Sequence, residues 1–165
     1  MDYILQELNM SNIDMIKDFY VDIFTNEPWN DDWSNEKQLH DYIMDLIGNI
    51  NSLTLGYFTN SEMVGLCMGH IRHWYTGTEY YIDEFCVSRN KQGIGIGTKF
   101  LKDVEKYITD KDITRIFLLT ERTVPAYHFY KKNNFIELSE HVSFTKKNKS
   151  KLKTSNFGEY MKLSV

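Results

Sequence analysis

Residues 86–100, CVSRNKQGIGIGTKF, carry the fold decision. An apolar run, Tyr80–Val87, leads into them and reads as a strand. Ser88–Lys91 is a polar link, and Gln92-Gly93-Ile94-Gly95-Ile96-Gly97 follows. Phe100, Leu101, Val104, Tyr107 and Ile108 then recur at helical spacing, one apolar face of an amphipathic helix. Glycines at alternate positions leave no Cβ to block a ligand or to forbid positive φ. A helix that starts there presents backbone N–H groups without intrahelical acceptors, and with the helix dipole these favour an anion, above all a phosphate. The sequence therefore predicts a phosphate-bearing ligand at the end of a strand, against the plainer alternative of a tight strand-to-helix turn.

Two common phosphate patterns fail here. For G-x-G-x-x-G, the third glycine position is Thr98 counted from Gly93 and Phe100 counted from Gly95. No Gly-Lys-Ser/Thr follows, so the loop is not of the Walker type. The pattern present is Q-x-x-G-x-G after a strand.

Outward from the loop, residues 2–8 alternate polar and apolar as a strand. Ser11 or Asn12 suits a helix cap, with Asp14 in the first turn, and Ile13, Ile16, Phe19 and Ile23 keep helical spacing to about Phe24. The segment 26–33, NEPWNDDW, breaks that pattern, and a second helix from near Ser34 carries Leu39, Tyr42, Ile43, Leu46 and Ile47 up to Gly48. Strands are expected over 52–59, 63–74 and 79–87, the first two joined by Asn60-Ser61-Glu62. RIFLLT, 115–120, is short and apolar, which predicts a central parallel strand. A short helix over 123–133 holds Pro125 in its first turn, and residues 135–145 and 158–165 read as closing strands. The basic run KKNKSKLKT between them lacks interleaved aromatics and reads as a solvated loop. The expected order is β-α-α-β-β-β-α-β-α-β-β, an α/β (α+β) mixed sheet with helices on both faces and one domain over 1–165.

The chain has 165 residues and a formal net charge of −4, which gives no general attraction to nucleic acid or acidic membranes. No apolar run approaches the roughly 20 residues that span a bilayer. MDYILQELN has neither a basic start nor a long apolar core, so a cytoplasmic location is expected. Cys67 and Cys86 lie in apolar runs as free thiols. The five histidines form no HxxxH grouping, and no metal is expected.

Two motifs now converge with the element order. V-x-x-x-x-Q-x-x-G-x-G is present as Val87 and Gln92–Gly97. A-x-x-F-Y-x-x-x-G-F is present as Ala126, Phe129, Tyr130, Asn134 and Phe135, with Asn134 in place of glycine. Over nearly its whole length the chain resembles the GCN5-related N-acetyltransferase (GNAT) family. The resemblance implies a mixed, mostly antiparallel sheet of about seven strands flanked by about four helices. It also implies acetyl-CoA as cofactor and a primary amine as acceptor, joined by direct attack on the thioester. By the family's pattern, Gln92, Gly93, Ile94, Gly95, Ile96, Gly97 and Thr98 hold the pyrophosphate through backbone N–H groups. The main chain of Phe85, Cys86 and Val87 pairs with the pantetheine and polarises the carbonyl. Thr123, Ala126 and Phe129 belong to the same cofactor surface, although an asparagine is more usual than Thr123. Tyr130 matches the family's general acid, against a plain packing role for the ring.

For the base, Asp83 and Glu84 sit on the strand that ends at the loop. Successive strand residues alternate in facing, so one of them is expected to meet the acceptor. An I-D-x-F run at this distance before the loop resembles aminoglycoside 6'-N-acetyltransferases, and Asp83 takes the place of their base; Glu84 is the alternative. Glu27, Trp29, Asp31, Asp32 and Trp33 combine aromatic faces with carboxylates, which suits a cationic amine such as an aminoglycoside or polyamine. The competing acceptors are a protein N-terminus or lysine, and the competing class is a non-catalytic acyl-CoA-binding module. A monomer or a homodimer fits the sequence equally, with no nucleic-acid or membrane partner expected.

Overall fold

The computed structural model describes residues 2–146, in two compact units, 2–119 and 120–146. The first unit contains β1 (Ile4–Leu8), α1 (Ile13–Phe24), α2 (Glu36–Ile47), β2 (Ser52–Thr59), β3 (Glu62–Trp74), β4 (Gly77–Val87), α3 (Ile96–Thr109) and β5 (Arg115–Leu118). The sheet order is β1-β2-β3-β4-β5. The first four strands run antiparallel and β5 runs parallel to β4.

Local sequence explains each boundary. Asn12 precedes α1, but its side chain accepts from Asn9 N at 3.0 Å, so the cap box lies on a 3₁₀ turn, Met10–Asn12, ahead of the helix. The buried stripe of α1 is Ile16, Tyr20, Ile23 and Phe24. Asn35, not Ser34, caps α2, accepting from Gln38 N at 3.1 Å, and Leu39, Ile43 and Ile47 face inward. Asn60 and Ser61 turn the β2–β3 hairpin with φ of 48° and 64°, the two-residue turn whose twist matches that of the strands. Glu62 is already part of β3.

Strand register sorts the side chains. Glu7, Leu55, Cys67 and Phe85 are successive partners across four strands and share one face. Phe85 stacks on Phe100 of α3 at 4.9 Å, and Tyr57 does so at 4.7 Å, so α3 covers that face. Met68 pairs with Glu84, and His70 with Tyr81, on the opposite face, beneath α1 and α2. At 25–30 cal/mol per Å², one buried ring or aliphatic chain contributes about 1.5–3 kcal/mol, so these two aromatic and aliphatic layers dominate the unit's stability.

The alternation breaks at one point. Met68 pairs with Glu84, but Gly69 pairs with Ile82, which leaves Asp83 as an extra residue on β4. This is a β-bulge, and Gly69 permits it: a Cβ there would lie 2.1 Å from Tyr81 O.

Among the described residues β5 lies at the sheet edge and not in its middle, and its side chains are half-buried or exposed. The described sheet has five strands of the about seven expected, and the expected strand over 158–165 lies outside the described residues.

In the second unit, α4 (Pro125–Lys132) starts with proline at its first turn and buries Ala126 and Tyr130. It ends as the motif requires: Asn134 has φ 67°, and Phe135 N donates to Tyr130 O at 3.1 Å. Residues 135–145 form no strand. Their described backbone bond is a turn, His141 N to Leu138 O, and Ile136, Leu138, Val142 and Phe144 are exposed. Alternating apolar residues make a strand only when a neighbour takes up their N–H and C=O groups. The expected strand over 158–165 and the basic run from 147 onward lie outside the described residues.

Candidate active site

The glycine loop closes β4 onto α3. Gln92 Nε2 donates to Val87 O at 3.2 Å, tying the loop to the strand end. Gly93 and Gly95 have φ of 74° and 90°, conformations that a side chain strains. An added Cβ at either would meet no atom within 4 Å, so the backbone is open to a ligand. Gly95 is the N-cap of α3, without a side-chain cap bond and with no acidic residue in the first turn. The initial N–H groups of α3 are thus left for an outside acceptor, and a pyrophosphate fits that donor set.

Beside the loop, β5 pairs with β4 only from Glu79 to Ile82. β4 continues through Val87 beyond that last pairing. Phe85 and Cys86 point into the core, with 1% exposure each, so what this stretch offers a ligand is its main chain. An extended pantetheine arm fits such an edge, as an added strand would.

The bulge sets the carboxylates. Because Asp83 is the extra residue, Asp83 and Glu84 both lie on the face that carries Met68 and His70, under α1 and α2. This corrects the expectation that neighbouring strand residues point to opposite faces. Glu84 is 2% exposed, and its Oε1 accepts from the Tyr20 hydroxyl at 3.2 Å and from the Tyr42 hydroxyl. Burial first, and then the nearby Glu84 charge, push the phenols of Tyr20 and Tyr42 far above their ordinary range, so both remain protonated donors. Asp83 is more open, with 26% of its side chain exposed, and its Oδ2 lies 2.9 Å from His70 Nδ1. The His70 ring stacks on Tyr81 at 4.9 Å.

Trp33 completes the roof, stacked on Tyr42 at 5.2 Å and edge-on to Tyr20 at 5.5 Å. Asp31 is half-buried near Tyr20, where its charge also raises that phenol. Trp29 instead fills the core, 3% exposed, against Phe24 at 6.1 Å. Glu27 is exposed. Asp32 is exposed as well, and bonds from Ser34 hold its carboxyl below the usual range. The structure therefore brings together Asp83, Glu84, Trp33 and Asp31, and leaves Glu27, Asp32 and Trp29 outside that group. In the second unit, Tyr130 packs on Phe135 at 5.1 Å and Phe129 at 5.3 Å, and Thr123 Oγ1 donates to Glu121 at 3.4 Å.

Sequence reading passed over His70, Tyr20 and Tyr42 as site residues. A signal for the bulge was available: Gly69 inside an otherwise apolar strand marks a close backbone approach. Nothing local marked the tyrosines, which meet Glu84 from 64 and 42 residues away. Arg72 and Arg115 are both bonded to Glu79, which is 3% exposed. Among the described residues no group of three His, Cys, Asp or Glu is placed to hold a metal ion, and no helix is long and apolar enough to cross a membrane.

No curated protein matches the sequence. An integron cassette protein from the mobile metagenome of V. cholerae superposes with a TM-score of 0.72 at 16% identity, over 90% of this chain and 94% of that one. The aminoglycoside acetyltransferase AAC(6')-Iy, solved with the bisubstrate analogue CoA-S-monomethyl-acetylneamine, gives 0.67 at 14% identity, over 90% and 99%. An aminoglycoside acetyltransferase from an uncultured soil metagenomic sample, solved with sisomicin, gives 0.65 at 17% identity, over 88% and 97%. These likenesses establish the fold. Residues 13–135 match the acetyltransferase (GNAT) family itself. With the Q-x-x-G-x-G loop, the open strand edge and three-quarters of the chain in that match, the chain belongs to the GNAT acetyltransferases, whose acyl donor is acetyl-CoA.

Proposed function

We propose that this acetyltransferase acts on a primary amine of a small cationic molecule, an aminoglycoside or a polyamine. The observation that carries the reading is the bulge, which sets two successive carboxylates, Asp83 and Glu84, under one roof of aromatic rings. An alkylamine is mostly ammonium at neutral pH, with a pKa near 10. Carboxylates and ring faces both attract such a cation. The fold neighbours solved with sisomicin and with an acetylneamine analogue favour aminoglycosides within this class.

The roles divide among the chain's own groups. Bound acetyl-CoA would supply the thioester carbonyl that nitrogen attacks. Backbone N–H groups from Gln92 to Thr98 would hold its pyrophosphate, and a main-chain N–H within Phe85–Val87 would stabilise negative charge on the carbonyl oxygen. Asp83, the more open carboxylate, draws the ammonium in and drives its deprotonation, directly or through a bridging group. Glu84 adds fixed negative potential, held by its two tyrosines. By the A-x-x-F-Y motif, Tyr130 would supply a proton to the departing sulfur.

The test is thiol release from acetyl-CoA with a panel of aminoglycosides, polyamines and peptides bearing free N-termini or lysines. Turnover with the cationic small molecules, and a loss of kcat in Asp83→Asn, supports the reading. Turnover with peptides alone replaces it with a protein acceptor. Acetyl-CoA binding without turnover on any amine replaces it with a non-catalytic module.

A further inference from the structure

His70 has no place in the motifs, yet it is bonded to the carboxylate assigned to deprotonation. Its Nδ1 lies 2.9 Å from Asp83 Oδ2, and its ring is clamped against Tyr81 at 4.9 Å. The two contacts fix both ring plane and ring direction. Among the described residues Nε2 has no hydrogen-bond partner, and 34% of the side chain is exposed. An imidazole whose Nδ1–H donates to a carboxylate carries its lone pair on Nε2. That is the arrangement in which histidine serves as a base and a carboxylate sets its tautomer.

We propose that His70 Nε2 is the atom that takes the proton from the acceptor ammonium, with Asp83 as the residue that positions it. The inference rests on the small-amine reading above and names the bridge between Asp83 and substrate. Two protons leave the nitrogen in the complete step. The first passes to Nε2, giving an imidazolium that Asp83 stabilises, and is later released to solvent. The amine then forms a C–N bond at the carbonyl carbon while the C–S bond breaks, and the second nitrogen proton balances the departing thiolate as thiol.

The geometry separates this from a direct role of Asp83. The bulge turns Asp83 toward β3, where His70 occupies one of its oxygens. The titratable and charged groups around the pair are Glu84 and Tyr81 on β4, Arg72 two residues along β3, whose guanidinium lies 5.6 Å from the Tyr81 ring, Tyr42 on α2 and Tyr20 on α1. Across β3, the neighbour of His70 on β2 is Ser52. Arg72 is engaged by Glu79. His70 is therefore the group bonded to Asp83 that keeps a ring nitrogen to take up a proton.

The experiment uses the full chain with an acceptor found in the amine panel. His70→Gln should lower kcat by about 10²-fold or more and leave acetyl-CoA affinity unchanged by calorimetry. The acidic limb of the kcat profile, present in the unmodified chain, should disappear. His70→Ala should recover activity on addition of free imidazole, which a purely structural histidine would not allow. Nitrogen-detected NMR of the unmodified chain at pH 8 should show His70 as the Nδ1–H tautomer, and Asp83→Asn should shift it toward Nε2–H. Full activity of His70→Gln overturns the proposal, as does an Nε2–H tautomer in the unmodified chain or a failure of imidazole to restore His70→Ala. If the unmodified chain acetylates no amine, the acceptor reading falls and the role of His70 falls with it; if it does and His70→Gln is normal, only His70 is excluded.

Discussion

Glu84 and Tyr130 show how one residue can be read only with its partners. Glu84 lies buried with two phenol donors on one oxygen, so hydrogen bonds from Tyr20 and Tyr42 help hold its charge. Hydrogen bonds to a charged group contribute about 1.5–3 kcal/mol each, and an amide recovers only part of that. Glu84→Gln should therefore lower unfolding stability by about 1–3 kcal/mol, seen as a lower urea midpoint at unchanged slope. An unchanged midpoint would show that the two tyrosines hold nothing. Tyr130 differs, because its motif role depends on the hydroxyl alone. Tyr130→Phe keeps the ring against Phe135 and should keep stability. Loss of a general acid typically costs about 10²- to 10⁴-fold in kcat, while acetyl-CoA affinity should hold. A kcat within about twofold of the original would leave Tyr130 a packing residue.

At the scale of elements, the β3–β4 pair does most to shape the site. Gly69 lets the two backbones close around the bulge, since a Cβ there would meet Tyr81 O at 2.1 Å and Ile82 Cα at 3.0 Å. Both obstacles are backbone atoms, which move only with the strand. Gly69→Ala should cost more than about 2 kcal/mol and should misplace Asp83 as well, so that the part that still folds has a depressed kcat. Normal stability with normal kcat would mean that the bulge tolerates a side chain. The same strands are tied to β5 by Glu79, whose carboxyl is held below its ordinary value of 4.5, first by the Arg72 hydrogen bond and then by Arg115, against the opposing effect of burial. A depressed carboxyl stabilises the fold above its unfolded value. That contribution is lost as pH falls below about 4.5 and through the lower folded value. Glu79→Gln should therefore be less stable at pH 7 and should flatten the acid side of the stability curve. A parallel curve, merely displaced, would deny the linkage.

Across the whole molecule, charge bears on acceptor capture. The net charge of −4 gives a polycationic acceptor a favourable field before contact. Asp31, half-buried near Tyr20, and Asp32, exposed beyond it, stand on the segment leading to the aromatic roof. Asp31→Asn and Asp32→Asn should raise KM for a polycation with little change in kcat. The difference from the unmodified chain should shrink as salt rises, because the Debye length falls from about 10 Å at 0.1 M to about 3 Å at 1 M. A KM insensitive to both substitutions and salt would place the acceptor's charges elsewhere.

What the sequence by itself determined is local. The alternate glycines permit the positive φ seen at Gly93 and Gly95, the 3.6-residue spacing marks most of the buried stripes of α2 and α3 and part of that of α1, and Asn134 ends α4 in a left-handed turn. Each of these depends on a residue and its near neighbours, and so is legible in a string. Tertiary structure decided the rest. Alternation assigned Asp83 and Glu84 to opposite faces, and the register slip against β3 put them on one. Apolarity suggested a central β5, but position in a sheet depends on which strands pair beyond it. The apolar alternation over 135–145 suggested a strand that the described chain does not pair. Glu84 acquired its tyrosines from 64 and 42 residues away, and Asp83 acquired its histidine across a hairpin. Periodicity records which side of an element is apolar; which polar groups meet there depends on register and on the packing of distant elements, and neither is written at any one position.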